Sequence, residues 1–125
     1  MARELKVIQD FYQLSTYLLQ RVQKYPRNLR YGLGAAIERR LQDLLSLFIQ
    51  AKYATAQDRA DVLREINIEL EVLRFQLRQS TELKALPLNS QRHALERLQA
   101  VGQQVGGWLR SLKPRGPGGP EGAEV

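Results

Sequence analysis

The sequence predicts an all-α fold, an up-down-up-down four-helix bundle. Three observations carry that expectation. Apolar residues recur at spacings of three and four through four stretches of about 20 residues, which gathers them onto single helical faces. Turn signals separate the stretches at Pro26, near Thr55 and at Leu86-Pro87-Leu88. No stretch alternates with the period of two that a half-buried strand requires.

The first helix is predicted over Glu4 to Lys24, with Val7, Phe11, Leu14, Leu18, Val22 and Tyr25 on one stripe. Pro26 stops it, because proline clashes with a preceding helical turn and disfavours helix at the residue before it. Arg27-Asn28 continues the turn. The second helix runs from Arg30 to Tyr53, with Leu33, Ile37, Leu41, Leu44, Phe48 and Ala51 facing inward. Leu45 and Ile49 widen that face. Gly32 and Gly34 near its start lower helix propensity by about 1 kcal/mol each relative to alanine. Close backbone approach or fraying would account for them.

The third helix begins at Thr55-Ala56-Gln57-Asp58, a capping-box pattern with Asp in place of Glu, and runs to Glu82. Leu63, Ile66, Leu70, Leu73 and Leu77 form its core stripe. Ile68, Val72 and Phe75 form another on roughly the opposite side, so this helix is expected to meet a second partner. Leu86 to Ser90 is the next turn, with Asn89 or Ser90 as N-cap. The fourth helix spans Gln91 to Leu112, with Leu95, Leu98, Val105, Leu109 and Leu112 inward. Gly102, Gly106 and Gly107 within it predict tight packing against another backbone. The bundle domain is thus residues 1–113, and the Pro/Gly-rich stretch 114–125 is expected to be a disordered tail.

A chain of 125 residues supports a single hydrophobic core. It contains no cysteine, which removes disulfides, thiolate catalysis and thiolate metal sites. No apolar run approaches the roughly 20 residues of a membrane span. The N-terminal M-A-R-E-L-K-V lacks a signal-peptide core. A soluble cytoplasmic protein is the expectation, with no membrane partner.

The inventory for catalysis is poor. His93 is the single histidine, set in the first turn of the fourth helix, where it reads as a solvated surface residue. A di-metal bundle site needs a Glu-x-x-His pair from each of two helices, which one histidine cannot supply. Glu65 and Glu69 stand one turn apart, as solvated helix faces often do. The G-L-G at Gly32 to Gly34 lacks the strand and the further glycine of a phosphate loop. No enzyme, cofactor or metal is therefore expected. An RNA hydrolase built on His93 is the weakest of the functional classes considered.

Charge is more informative. Nineteen Lys plus Arg against thirteen Asp plus Glu give +6, which favours polyanionic partners, above all nucleic acid. Arginine predominates, and its planar fork suits phosphate and carboxylate. The cations group as Arg21, Lys24, Arg27 and Arg30 around the first turn, Arg39 and Arg40 on the second helix, and Arg74 and Arg78 on the third. Arg110, Lys113 and Arg115 close the fourth, where they also offset the helix dipole. Glu71 stands three residues before Arg74, and such a pair contributes only a few tenths of a kcal/mol. Trp108, in V-G-G-W-L-R, is expected to fill the core or a subunit contact. Base stacking is the lesser alternative, since stacking platforms carry several exposed aromatics. Tyr25, Tyr31 and Tyr53 near helix ends suit partly buried tyrosines with wet hydroxyls.

Four motifs in order carry a family resemblance: Y-P-R at Tyr25 to Arg27, A-x-E-R at Ala36 to Arg39, L-R-F-Q-L-R at Leu73 to Arg78, and V-G-x-x-V-G-G-W-L-R at Val101 to Arg110. Together the chain resembles the accessory variability determinant (Avd) family of diversity-generating retroelements. R-Y-G-L-G at Arg30 to Gly34 also resembles the related bundle proteins encoded in intervening sequences of 23S ribosomal RNA genes, whose role need not involve a reverse transcriptase. The Avd resemblance implies a ring-like homopentamer that binds the retroelement's reverse transcriptase and template-repeat-derived RNA during mutagenic retrohoming, without chemistry of its own. It implies binding residues at Arg74 and Arg78, with Arg27, Arg30 and Lys24 as weaker candidates. The subunit interface would involve Ile68, Val72, Phe75 and Trp108. The tail ends in Glu124-Val125, adds no positive charge and receives no role.

Overall fold

A computed structural model describes residues 2–112, and among them every regular element is helical. The elements are α1 (Ala2–Val22), α2 (Arg27–Leu29), a π-helical turn (Arg30–Gly34), α3 (Ala35–Tyr53), α4 (Ala56–Glu82) and α5 (Leu88–Arg110). The turn α2, the π-helical residues and α3 follow one another without a break, so the bundle has four helices. α1 packs on α3, α3 on α4, α4 on α5 and α5 back on α1. Short connections make successive helices antiparallel, and the alternation leaves α5 antiparallel to α1 as well, as an up-down-up-down bundle requires. The expected tail, 114–125, lies outside the described residues.

The apolar stripes meet in a single core. Val7, Phe11, Leu14, Leu18 and Val22 of α1 are buried against Ile37, Leu41, Leu44 and Phe48 of α3 and Leu63, Ile66, Leu73 and Leu77 of α4. Phe11 and Phe48 set their rings at a 5.0 Å centroid separation, within the range of favourable aromatic pairs. Tyr25 is wholly buried where a wet hydroxyl is expected, whereas Tyr31 and Tyr53 are exposed. Ile49 is 42% exposed, so it does not widen the α3 core face, although Leu45 packs against it.

Helix ends obey local chemistry. Thr55 Oγ1 accepts from the Asp58 amide at 3.3 Å, the N-terminal half of the capping box. Proline sets the start of two other helices. Pro26, with ψ 148°, places Arg27 directly in helix, so the expected turn through Asn28 is absent. Pro87, with ψ 150°, starts α5 at Leu88, and neither Asn89 nor Ser90 serves as N-cap. Of the two glycines, only Gly34 has a close approach: a Cβ there would lie 3.1 Å from Val22 Cγ1, whereas one on Gly32 would meet nothing within 4 Å. Arg59, which no sequence pattern singles out, ties the α3–α4 corner. Its guanidinium donates to the carbonyls of Ala51 at 2.7 Å, Lys52 at 3.1 Å and Ala54 at 2.9 Å, the orphan acceptors at the end of α3.

Candidate nucleic-acid interface

The position of each cation follows from the bundle. Lys24 and Arg27 lie in the α1–α2 corner, and Arg30 begins the π-helical turn; all three are exposed. Arg30 Nη2 donates to Tyr25 O at 3.5 Å, a long bond that tethers its side chain to the corner. Lys84, in the α4–α5 corner at the same end of the bundle, is exposed and has φ 65°. This end therefore presents several cations from two corners, which suits a polyanion.

On α4, Arg74 and Arg78 diverge. Arg74 Nε donates to Glu71 Oε1 at 3.3 Å, an exposed pair of small energetic weight. The Arg78 guanidinium lies 5.4 Å from the centre of the Phe75 ring, a cation–π contact on the outer face. That face also carries Ile68, 63% exposed, Phe75, 55% exposed, and half-buried Val72. The outward apolar stripe expected of this helix is thus real, and among the described residues nothing covers it. Trp108 is different. At 1% exposure it belongs to the monomer's own core, so it offers no surface to a neighbouring subunit.

Arg74 lines a groove of about 420 Å³ between α4 and α5. Leu70 and Leu98 form its apolar floor, Asn67, Glu71, Gln99 and Gln103 line it, and Arg110 stands at one end. Gly102 and Gly106 form its α5 wall. The tight packing expected of these glycines is absent among the described residues. A Cβ on Gly102 would meet nothing within 4 Å, and one on Gly106 would meet only Arg110 Nη1, at 3.4 Å. The bare helix at Gly106 and Gly107 leaves room for the Arg110 guanidinium to fold back along α5. The matching groove between α3 and α4 has the opposite balance. There Asp43, Glu65 and Glu69 line the walls with Arg40, whose Nε donates to Glu69 Oε1 at 2.7 Å.

His93 is exposed at the start of α5, its ring edge-on to Tyr17 at 4.7 Å between centroids. Among the described residues no group of three or more His, Cys, Asp or Glu is placed to hold a metal ion. No helix among them is long and apolar enough to cross a membrane.

The profile of a protein family described as bAvd-like matches residues 5–112, all four bundle helices. The chain belongs to the bAvd-like family. No curated protein sequence matches it. The four sequence motifs between Tyr25 and Arg110 fall inside the matched span. Sequence reasoning on this bAvd-like chain missed the groove, because Asn67, Arg74, Gln99 and Arg110 come together only through the register of α4 on α5. The glycine spacing was its one visible signal.

Proposed function

We propose that this bAvd-like protein is the non-enzymatic accessory protein of a diversity-generating retroelement. In this reading it forms a homo-oligomeric ring, expected to be a pentamer, that engages the reverse transcriptase and template-repeat-derived RNA in the cytoplasm. Family membership carries the reading. Two features support it. The exposed stripe of Ile68, Val72 and Phe75 gives each protomer an apolar face to cover. The cations at Arg74, Arg78, Lys24, Arg27 and Arg30 sit on exposed or half-exposed positions where phosphates or carboxylates can reach them. Arginine on such a surface positions a nucleic acid through its backbone and steers its approach.

The test is co-expression with the reverse transcriptase of the same retroelement and capture on a tag, with and without ribonuclease. Retention of the transcriptase after ribonuclease treatment is expected and marks a direct protein contact. Absence of the transcriptase from both captures would overturn the reading.

A further inference from the structure

The groove between α4 and α5 has a lining that a plain phosphate-binding surface does not need. Three residues with primary amides, Asn67, Gln99 and Gln103, line it, and each amide carries both donors and acceptors. Arg74 and Arg110 supply positive charge beside them. At Gly102 the α5 wall is bare backbone with open space above it, so a flat group can lie against the helix. Donor–acceptor edges, a flat face and a neighbouring anion are together the chemistry of a nucleotide. An acidic peptide would meet the same cations and amides through its carboxylates and backbone, and it is the bare, flat wall at Gly102 that favours a planar base. The volume of about 420 Å³ lies in the range of small-molecule sites, about 300–1,000 Å³.

We infer that this groove holds an unstacked base of single-stranded RNA, its edge on Asn67, Gln99 and Gln103 and its flanking phosphates on Arg74 and Arg110. The inference rests on the scaffold reading and adds to it that RNA contact discriminates between bases. Glu71, which also lines the groove, is paired with Arg74 and leaves Arg110 as the stronger phosphate contact. Duplex RNA is excluded, because its stacked bases cannot enter a side pocket.

Labelled oligo(A), oligo(U) and oligo(C) RNA, titrated with the full chain over a range of salt and read by fluorescence anisotropy, provide the test. The wild type is expected to separate the three by several-fold. Gly102→Leu, which fills the groove, should weaken the preferred strand about tenfold and erase the discrimination, with the salt dependence unchanged. Gln99→Leu with Gln103→Leu, at exposed positions that leave the core intact, should do the same. Arg110→Gln should instead lower the salt slope by about one while keeping the order of preference.

A folded Gly102→Leu protein with wild-type affinity and order would overturn the inference. So would a wild type that binds all three strands equally, although RNA binding by the scaffold would then stand. A wild type that binds no RNA would remove the inference and the RNA half of the scaffold reading together. AMP binding as tightly as the strand would assign the groove to free nucleotides. Loss of transcriptase capture with RNA binding intact would assign it to protein. Either result contradicts the proposal.

Discussion

Arg74 and Arg78 stand one turn apart on α4 yet line different surfaces. Arg74 pairs with Glu71 and faces the groove toward α5, while Arg78 lies over Phe75 on the outer face. Two residues expected to act as one cationic pair are therefore separable by mutation. In the scaffold reading both arginines serve the transcriptase and its RNA, Arg74 from the groove and Arg78 from the rim of the outer face that carries Ile68 and Phe75.

That outer face should hold the oligomer. The double change Ile68→Ser with Phe75→Ser removes two exposed apolar side chains and touches no core residue. Light scattering should then give the 14.3 kDa monomer, with circular dichroism still fully helical, against a multiple of that mass for the wild type. An unchanged oligomer would place the interface elsewhere.

Trp108 should behave as a core residue. Trp108→Ala opens a cavity in the bundle and is expected to cost about 3–5 kcal/mol of stability. Urea denaturation monitored by circular dichroism reads the loss. A loss below about 1 kcal/mol, accompanied by dissociation of the oligomer, would return Trp108 to the interface.

Two glycines should respond with opposite signs. Gly102→Ala puts a methyl in open space and should stabilise the helix by about 0.5–1 kcal/mol. Gly34→Ala drives a Cβ to 3.1 Å from the Cγ1 of Val22, which is buried in the core and has little room to yield, so the overlap should outweigh the helix gain and destabilise by about 1 kcal/mol. Thermal melts of the two variants, compared with the wild type, decide it.

These positions also mark how far the sequence reaches. The four helices and the core stripes through Leu63, Ile66, Leu73 and Leu77 were legible, because one apolar face per helix dominates the pattern. Ile49 misled because periodicity cannot tell the edge of a stripe from its centre. The start of α5 moved to Leu88 because Pro87 supplies the extended residue before the helix, and Asn89 and Ser90 lose their capping role. The left-handed Lys84 was invisible, since no glycine marks the turn. Arg59 and the α4–α5 groove depend on contacts between helices, which no single-helix pattern records.

Tyr25 gives the fold an alkaline limit. Burial raises its phenol pKa above the ordinary 10.0, with the adjoining Ser80 hydroxyl opposing. Ser80 Oγ donates to Gln76 O at 2.8 Å, and the Tyr25 hydroxyl has no well-formed hydrogen bond. The folded state thus favours the neutral phenol. Its contribution is complete below pH 10.0, the unfolded value, and is lost as pH climbs from there through the raised folded value. Urea midpoints should fall above pH 10.0 in the wild type and fall less in Tyr25→Phe, which has no proton to lose.

The scaffold account is tested most directly by capture of the retroelement's reverse transcriptase on the wild type and on the double variant Arg74→Ala with Arg78→Ala, each first sized by light scattering. The prediction is that the variant keeps the wild-type oligomeric mass and loses the transcriptase. Full retention of the transcriptase by the variant would contradict the assignment of these arginines. Failure of the wild type to capture it would contradict the account as a whole.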